Sequence, residues 1–439
     1  MSVDAIIATN RFGLGATPGL ITQVARNPKD WLKNQLNDHR AARIDGPELF
    51  STPQAFEAFL AYTRERQQQR NVANQAAQLA QPQAAMIFNR GARAMANEVE
   101  SRVVHALITP APFLERWALF WANALTVSAK NLQTLYVAGP YEREAIRPHV
   151  LGRFTDLLMA SALHPGMLIY LDQARSVGPN APAAINAQRR ARNIGLNENL
   201  AREILELHTL GVDGGYTQAD VTEFARALTG WTIAGPMNRL GRAMNGASAV
   251  QGQTVFAANL HEPGPRTIMG RTFAQSGREQ ALAILAFLAN QPQTARNIAT
   301  KIAQHFVSDN PSRTLVTRLE RNFQDTGGDL KALAITLIDS PEAWAMPATK
   351  FKSPNDFIIS TMRASGATRA DAGALRDTYQ QLGQIPFRAP SPKGWPDSAQ
   401  EWGSPDAILK RVDWSNLAAR VIAPITPPMA FAENALALP

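Results

Sequence analysis

The chain has 439 residues and no cysteine, with 44 Lys and Arg against 36 Asp and Glu and a formal net charge of +8. The missing cysteines exclude disulfides, iron–sulfur clusters, thiolate zinc sites and a cysteine nucleophile. An apolar fraction of 45% with 18% charged residues belongs to a folded globular chain, not a disordered one.

Length alone allows several domains or one large one; the even patterning favours one, over 1–439. The basic balance suits nucleic acid, an anionic membrane surface or an anionic polymer or carbohydrate. The basic residues are spread and form no run interleaved with aromatics, so nucleic acid is not expected. No apolar run approaches about 18 residues, so no transmembrane helix is expected. The start, MSVDAIIATNRFGLG, reads as neither a signal peptide nor an anchor. A cytoplasmic location is expected for the chain as written, and an exported or periplasmic one if a leader has been removed.

In chain order, Thr17-Pro18, Asn27-Pro28 and Thr52-Pro53 each read as a helix cap followed by proline at the first helical position. Residues 66–85, rich in Gln, Ala and Asn, predict a helical arm with a thin apolar face, exposed or partly mobile. Glu98–Ile108 is amphipathic. Phe113–Asn123 is an aromatic helix with Trp117, Phe120 and Trp121; it fits core packing, and an aromatic substrate platform is the alternative. Helices are expected at Tyr141–His149 and Leu151–Ser161, and a loop over 175–195 that includes Arg189, Arg190 and Arg192.

The stretch Asn197–Trp231 concentrates the reactive side chains. It predicts two helices around a glycine turn. Asn197 caps the first, and Glu198, Arg202, Glu206, Asn199 and Glu203 share one polar arc. His208 lies on the apolar side, and Gly211 ends the helix as a left-handed residue. Asp213-Gly214-Gly215-Tyr216 turns the chain. Thr217 and Asp220 form a capping box for the second helix.

Carboxylates beside Arg and His are the material of acid–base chemistry or of an oxygen-rich metal site. The plainer alternative is a solvated face of i,i+4 ion pairs, Glu198–Arg202 and Arg202–Glu206.

A loop-rich insertion is expected over 232–276, with Thr254–Phe256 and Thr267–Met269 paired as one hairpin around His261-Glu262-Pro263. Helices then follow at Gly277–Asn290, Pro292–Val307, Pro311–Phe323, Gly328–Ile338, Pro354–Ala364 and Ala370–Leu382. A Pro- and Trp-rich loop leads to a helix at Asp406–Val421 and a loose tail. The fold class is therefore all-α: a large irregular multi-helix array with one small β-hairpin in the long loop after the central helix pair.

Several motifs in order carry a family resemblance: Asn10-Arg11-Phe12-Gly13-Leu14-Gly15-Ala16-Thr17, Phe120-Trp121, His164-Pro165, Tyr170-Leu171-Asp172, the central stretch, His261-Glu262-Pro263-Gly264-Pro265 and Lys393-Gly394-Trp395. The chain resembles the DUF1800 family, bacterial proteins of unknown function. The resemblance implies no reaction. It implies a paired role with a DUF1501-type protein, since genes for relatives often sit beside that second family. The family pattern Phe-Trp-His-Asn-His-Phe stands here as Phe120-Trp121-Ala122-Asn123-Ala124-Leu125, so two histidines are replaced by alanines.

P-loop, nucleophile-elbow, His-Glu-x-x-His, EF-hand and kinase signatures are absent. The seven histidines show no helical metal spacing, so no metal ligands are assigned and any cofactor is unknown. Two functions stand near even. The first is a hydrolase or lyase of an envelope or extracellular polymer, with Glu198 and Glu203 as acid and base, His261 as a second acid/base and Asp213 in support. Arg202, Trp121, Asn123, Trp231, Lys393 and Trp395 would then contact substrate. The second is a non-catalytic helical binding or assembly partner. Raised carboxyl pKa values in a cleft favour the first, and an exposed ion-pair ladder the second.

Overall fold

Apolar residues at helical spacing, several runs opened by a side-chain cap or a first-turn proline, make helices the main element of this chain. The computed structural model describes residues 2–75, 82–188, 194–235 and 250–436, without the side chains of 69–75, 82–89 and 436. Helices Thr52–Gln75 and Pro82–Ile108 lead into the aromatic helix Pro112–Ala124. Residues 76–81 of the expected arm, the arginines at 189–192 and residues 236–249 of the 232–276 insertion lie outside the described residues; the rest of the arm is helical, as expected.

Caps begin the helices where local chemistry predicts. Asn27 precedes a first-turn proline. Asn131 and Thr134 form a capping box, and so do Thr217 and Asp220. The first turn differs: Gly19, at φ 76, and not Thr17, precedes the helix Leu20–Val24. Leu132–Tyr141 is helical, and the Tyr141–His149 expectation becomes a π turn at Glu142–Ile146 followed by a 3-10 turn. The expected loop over 175–195 contains the helix Pro182–Gln188, and the expected loose tail contains the helix Pro428–Leu436.

The core centres on the aromatic helix. Trp117 and Trp121 are fully buried. Trp117 stacks at 5.8 Å on Phe306 from the helix Pro292–Phe306, and Trp121 at 5.7 Å on Phe154. Such rings supply the largest apolar areas available to a core.

A charged network sits beside them. The fully buried Arg147 makes a two-pronged pair with Glu115, at 2.7 and 2.8 Å, and bonds Glu142 at 2.9 Å. Buried charges persist only when paired in this way.

Among the described residues four short strands make two antiparallel pairs, Trp231–Ile233 with Thr254–Phe256 and Arg266–Ile268 with Arg271–Phe273. The hairpin expected between 254–256 and 267–269 is therefore replaced by two separate pairings. Met269 at φ 48 and Gly270 at φ 75 form a two-residue turn that closes the second pair on itself, the geometry that matches strand twist. Thr254–Phe256 is left to pair with the strand leaving the central helices.

Candidate functional site

The central stretch folds largely as its residues dictate. Asn197 accepts from the Asn199 N–H at 2.9 Å, Gly211 and Gly215 are left-handed at φ 89 and 79, and Thr217 and Asp220 cap each other. The first helix departs from the expected polar arc. Its α-helical part spans Asn199–Glu203, and Ile204–His208 forms a wider π turn. There i,i+4 spacing no longer holds, and Glu198–Arg202, at 3.1 Å, forms without an Arg202–Glu206 partner.

Glu198 also accepts from Thr222 at 2.6 Å and Gln218 at 2.8 Å. The Thr222 hydroxyl is the main cause of a lowered Glu198 carboxyl. Glu198 is thus a partly exposed, bonded carboxylate that holds the two helices together.

Glu203 differs. Burial and the neighbouring Glu206 raise its carboxyl. Burial, with Glu203 nearby, pushes the Tyr170 hydroxyl up to about 12. Asp213 is exposed.

The His261 loop is anchored at the far end of the second helix. His261 Nδ1 donates to the Thr229 carbonyl at 2.9 Å, and the Glu262 carboxylate accepts from the Asn180 side chain and backbone at 2.6 and 2.7 Å. Among the described residues no hydrogen bond joins this loop to Glu198–Glu206. Trp231 stacks at 5.6 Å on Phe256 across its strand pair.

Trp121 has no exposed surface. It is packed among Trp117, Phe120 and Phe154, so it offers no face to a ligand; core packing, not a substrate platform, accounts for it. Lys393 is exposed.

Asn123 and Trp395 do meet. Asn123 donates to the Trp395 carbonyl at 3.0 Å and accepts from its N–H at 2.8 Å. Gly394, at φ 85, allows this approach, since a Cβ there would lie 2.5 Å from the Asn123 carbonyl oxygen. The loop is thereby clamped to the end of the aromatic helix.

That clamp is one wall of a cleft of about 90 Å³ lined by Arg102, Arg116, Asn123, His305, Asp356, Trp395 and Asp397, among others. His305 Nδ1 donates to Asp397 Oδ2 at 2.6 Å. Its Nε2 is buried and has no hydrogen-bond partner among the described residues.

Asp397 is held from behind by Lys350 at 3.1 Å, which also meets Asp309 at 2.8 Å. Burial by itself would raise the Asp397 carboxyl, but His305 and Lys350 together bring it below its ordinary value. A carboxylate on Nδ1 fixes the tautomer that leaves Nε2 as an acceptor.

Arg116 meets Asp356 at 3.3 Å and has an unpartnered Nε; Arg102 meets Glu142 at 3.2 Å. Through Glu142 the cleft rests on the buried Arg147 network. Reading the sequence missed His305, Asp397, Arg102 and Arg116; the two arginines sit on consecutive helices, and His305 and Asp397 come from far along the chain. One signal pointed there: Ala122, where the resemblance expects a histidine, lines this cleft.

Among the described residues no group of three His, Asp or Glu side chains stands close enough to hold a metal ion, and no described helix is long and apolar enough to cross a membrane. No curated protein and no solved structure matches the chain. The family model described as "Protein of unknown function (DUF1800)" matches residues 7–437, and with nearly the whole length covered the chain belongs to the DUF1800 family.

Proposed function

We propose that this protein is an acid–base enzyme, a hydrolase or lyase of a hydrophilic polymer of the envelope or extracellular kind, and that the reaction takes place in the His305 cleft. The observation that carries the reading is His305 itself: its side chain lines the cleft, its Nδ1 is held by a carboxylate, and its buried Nε2 has no hydrogen-bond partner among the described residues. An unpaired buried nitrogen costs stability unless something occupies it, and a carboxylate-oriented imidazole is the commonest general base.

In hydrolysis, Nε2 takes a proton from the attacking water as its oxygen adds to the substrate's electrophilic atom. The imidazolium, stabilised by Asp397, then returns that proton to the leaving group. Arg102 and Arg116 face the charge that develops on the substrate. In a lyase reaction the same nitrogen removes a proton from carbon, the C–H electron pair forms a double bond to the neighbouring carbon, and the bond from that carbon to the leaving oxygen breaks, the oxygen then taking up the proton. The small volume fits one residue of a chain. Trp395 and the polar lining suit a sugar-like unit.

The test is a screen of the purified protein against aryl glycosides, aryl esters and envelope-polymer fragments, repeated with His305→Ala. Turnover that depends on His305 supports the reading. Turnover unchanged in His305→Ala, or none on any class, overturns it. Glu203, the other perturbed acid, is the rival base, and Glu203→Gln in the same screen decides between them.

A further inference from the structure

We infer that the groove beside the last helix binds the aliphatic chain of a small anionic amphiphile, a free fatty acid, with Arg411 holding the carboxylate. The groove lies between the helices Pro354–Ala364, Pro405–Ile422 and Pro428–Leu436 and has a volume of about 270 Å³. Protein interiors leave few voids larger than a water molecule, and an apolar cavity of about 150 Å³ already takes up benzene. Three rings, Phe357, Trp414 and Phe431, and three alanines, Ala418, Ala419 and Ala423, line it, with no charged side chain among the described residues. The alanines leave the space, and the rings offer broad apolar faces to whatever fills it.

The space is held open. Thr426 donates to the Ser365 carbonyl at 2.9 Å and Asn434 to the Ala364 carbonyl at 3.0 Å. The last helix is therefore tied just before its start and again near its end, and it does not settle onto the alanines. A gap that its walls cannot close keeps its cost until a ligand fills it.

Shape and charge name the ligand. Arg411, Ser415, Ala418 and Ile422 follow at spacings of four, three and four, so they share one narrow line of the helix. The last three line the groove, and at 1.5 Å per residue they extend over about 10 Å, a slot for one extended hydrocarbon chain. Arg411 stands one turn before Ser415. Its guanidinium stacks 4.6 Å from Phe351 and 5.2 Å from Phe357, itself a groove residue, and donates to the Lys352 carbonyl at 2.8 Å. It has no ion-pair partner among the described residues, and Asp356, the carboxylate that acts on it, is paired with Arg116 at 3.3 Å. A guanidinium fixed by rings with N–H groups to spare is a carboxylate receptor. A peptide strand in the groove would need backbone partners, which rings and alanines do not supply.

The experiment is isothermal titration calorimetry of the full chain with decanoate and with decan-1-ol, with circular dichroism to confirm folding. The wild type is expected to bind decanoate, and the alcohol more weakly. Ala419→Trp, at an exposed position of the lining, is expected to abolish binding of both. Arg411→Gln is expected to bring decanoate down to the level of the alcohol. Asn416→Trp, exposed on the other side of the helix, is expected to change neither. A wild type that ignores decanoate overturns the inference, and its binding to phosphatidylglycerol vesicles would then assign the groove to a bilayer. Decanoate binding that survives Ala419→Trp, or is lost equally in Asn416→Trp, overturns it too. Equal binding of acid and alcohol by the wild type overturns the anionic ligand. None of the substituted residues lines the His305 cleft, so catalytic failure there leaves this result standing.

Discussion

Glu198 and Arg202 meet at 3.1 Å on the surface, with their side chains 30% and 40% exposed, whereas Glu115 and Arg147 meet at 2.7 Å with 0% and 1% exposed. The residue types are the same and the consequences differ. On the central helix pair, water screens the charges, and hydrogen bonds from Thr222 and Gln218 settle Glu198 as an ionised tie. Behind the cleft, burial makes each charge depend on its partner. Arg147 lies well above its ordinary pKa, because burial's lowering effect is outweighed by Glu115 and Glu142. A site needs the second kind of environment, where geometry is fixed and an unpaired atom such as His305 Nε2 keeps its energetic value.

The comparison breaks first at His305. His305→Ala is expected to lower any turnover by about 100- to 10,000-fold, the usual contribution of a positioned general base. Asp397→Asn should reduce turnover in the same direction. The next largest effect is on stability. Arg147→Met takes the two-pronged partner from the fully buried Glu115 and leaves Glu142 to Arg102 alone, a change that costs about 3–5 kcal/mol, read as a lower denaturation midpoint.

A pH series sharpens the contrast. Burial, with Lys301 alongside, pushes the His208 imidazole from 6.5 down to about 3. The unfolded chain therefore binds that proton first, so stability is complete above about 6.5 and is lost progressively as pH falls toward 3. His208→Leu should flatten the fall in melting temperature between pH 7 and 5, since neither ring nitrogen has a hydrogen-bond partner to lose. An unchanged slope would show that another group sets it. Asp397, held below its ordinary value, works in the same direction at lower pH: its contribution is present above the unfolded carboxyl value and is lost as pH falls through the folded one.

Smaller again is Gly215→Val in the central turn. Nothing lies within 4 Å of a Cβ there, so the cost is backbone strain alone, about 1–3 kcal/mol, and an unaltered melt would refute the left-handed assignment. Smallest is Glu198→Gln, which should shift stability by less than about 1 kcal/mol, as exposed pairs do, and leave turnover intact. If it abolishes turnover, the exposed face and not the cleft holds the chemistry.

Periodicity and caps made the helices legible. The aromatic helix, the capping box at Thr217 and Asp220, and the left-handed Gly211 and Gly215 are local facts, decided within a few residues by sterics and short hydrogen bonds. The family membership was legible for a similar reason, since its motifs are contiguous. The strand partners were not local: the tight turn at Met269-Gly270 closed one hairpin and left Thr254–Phe256 to pair with Trp231–Ile233. The π turn at Ile204–His208 likewise answers to packing, where Lys301 donates to the Leu207 carbonyl and His208 is buried.

The cleft was the least legible. His305 had no near neighbour in sequence to mark it. Its carboxylate lies 92 residues away at Asp397, and Asp397 draws in Lys350. Residue types alone placed the chemistry on Glu198, where carboxylates are dense. Only the tertiary structure decides which charged group is shielded from water, because burial depends on what packs against a side chain, and at His305 those neighbours come from distant parts of the chain.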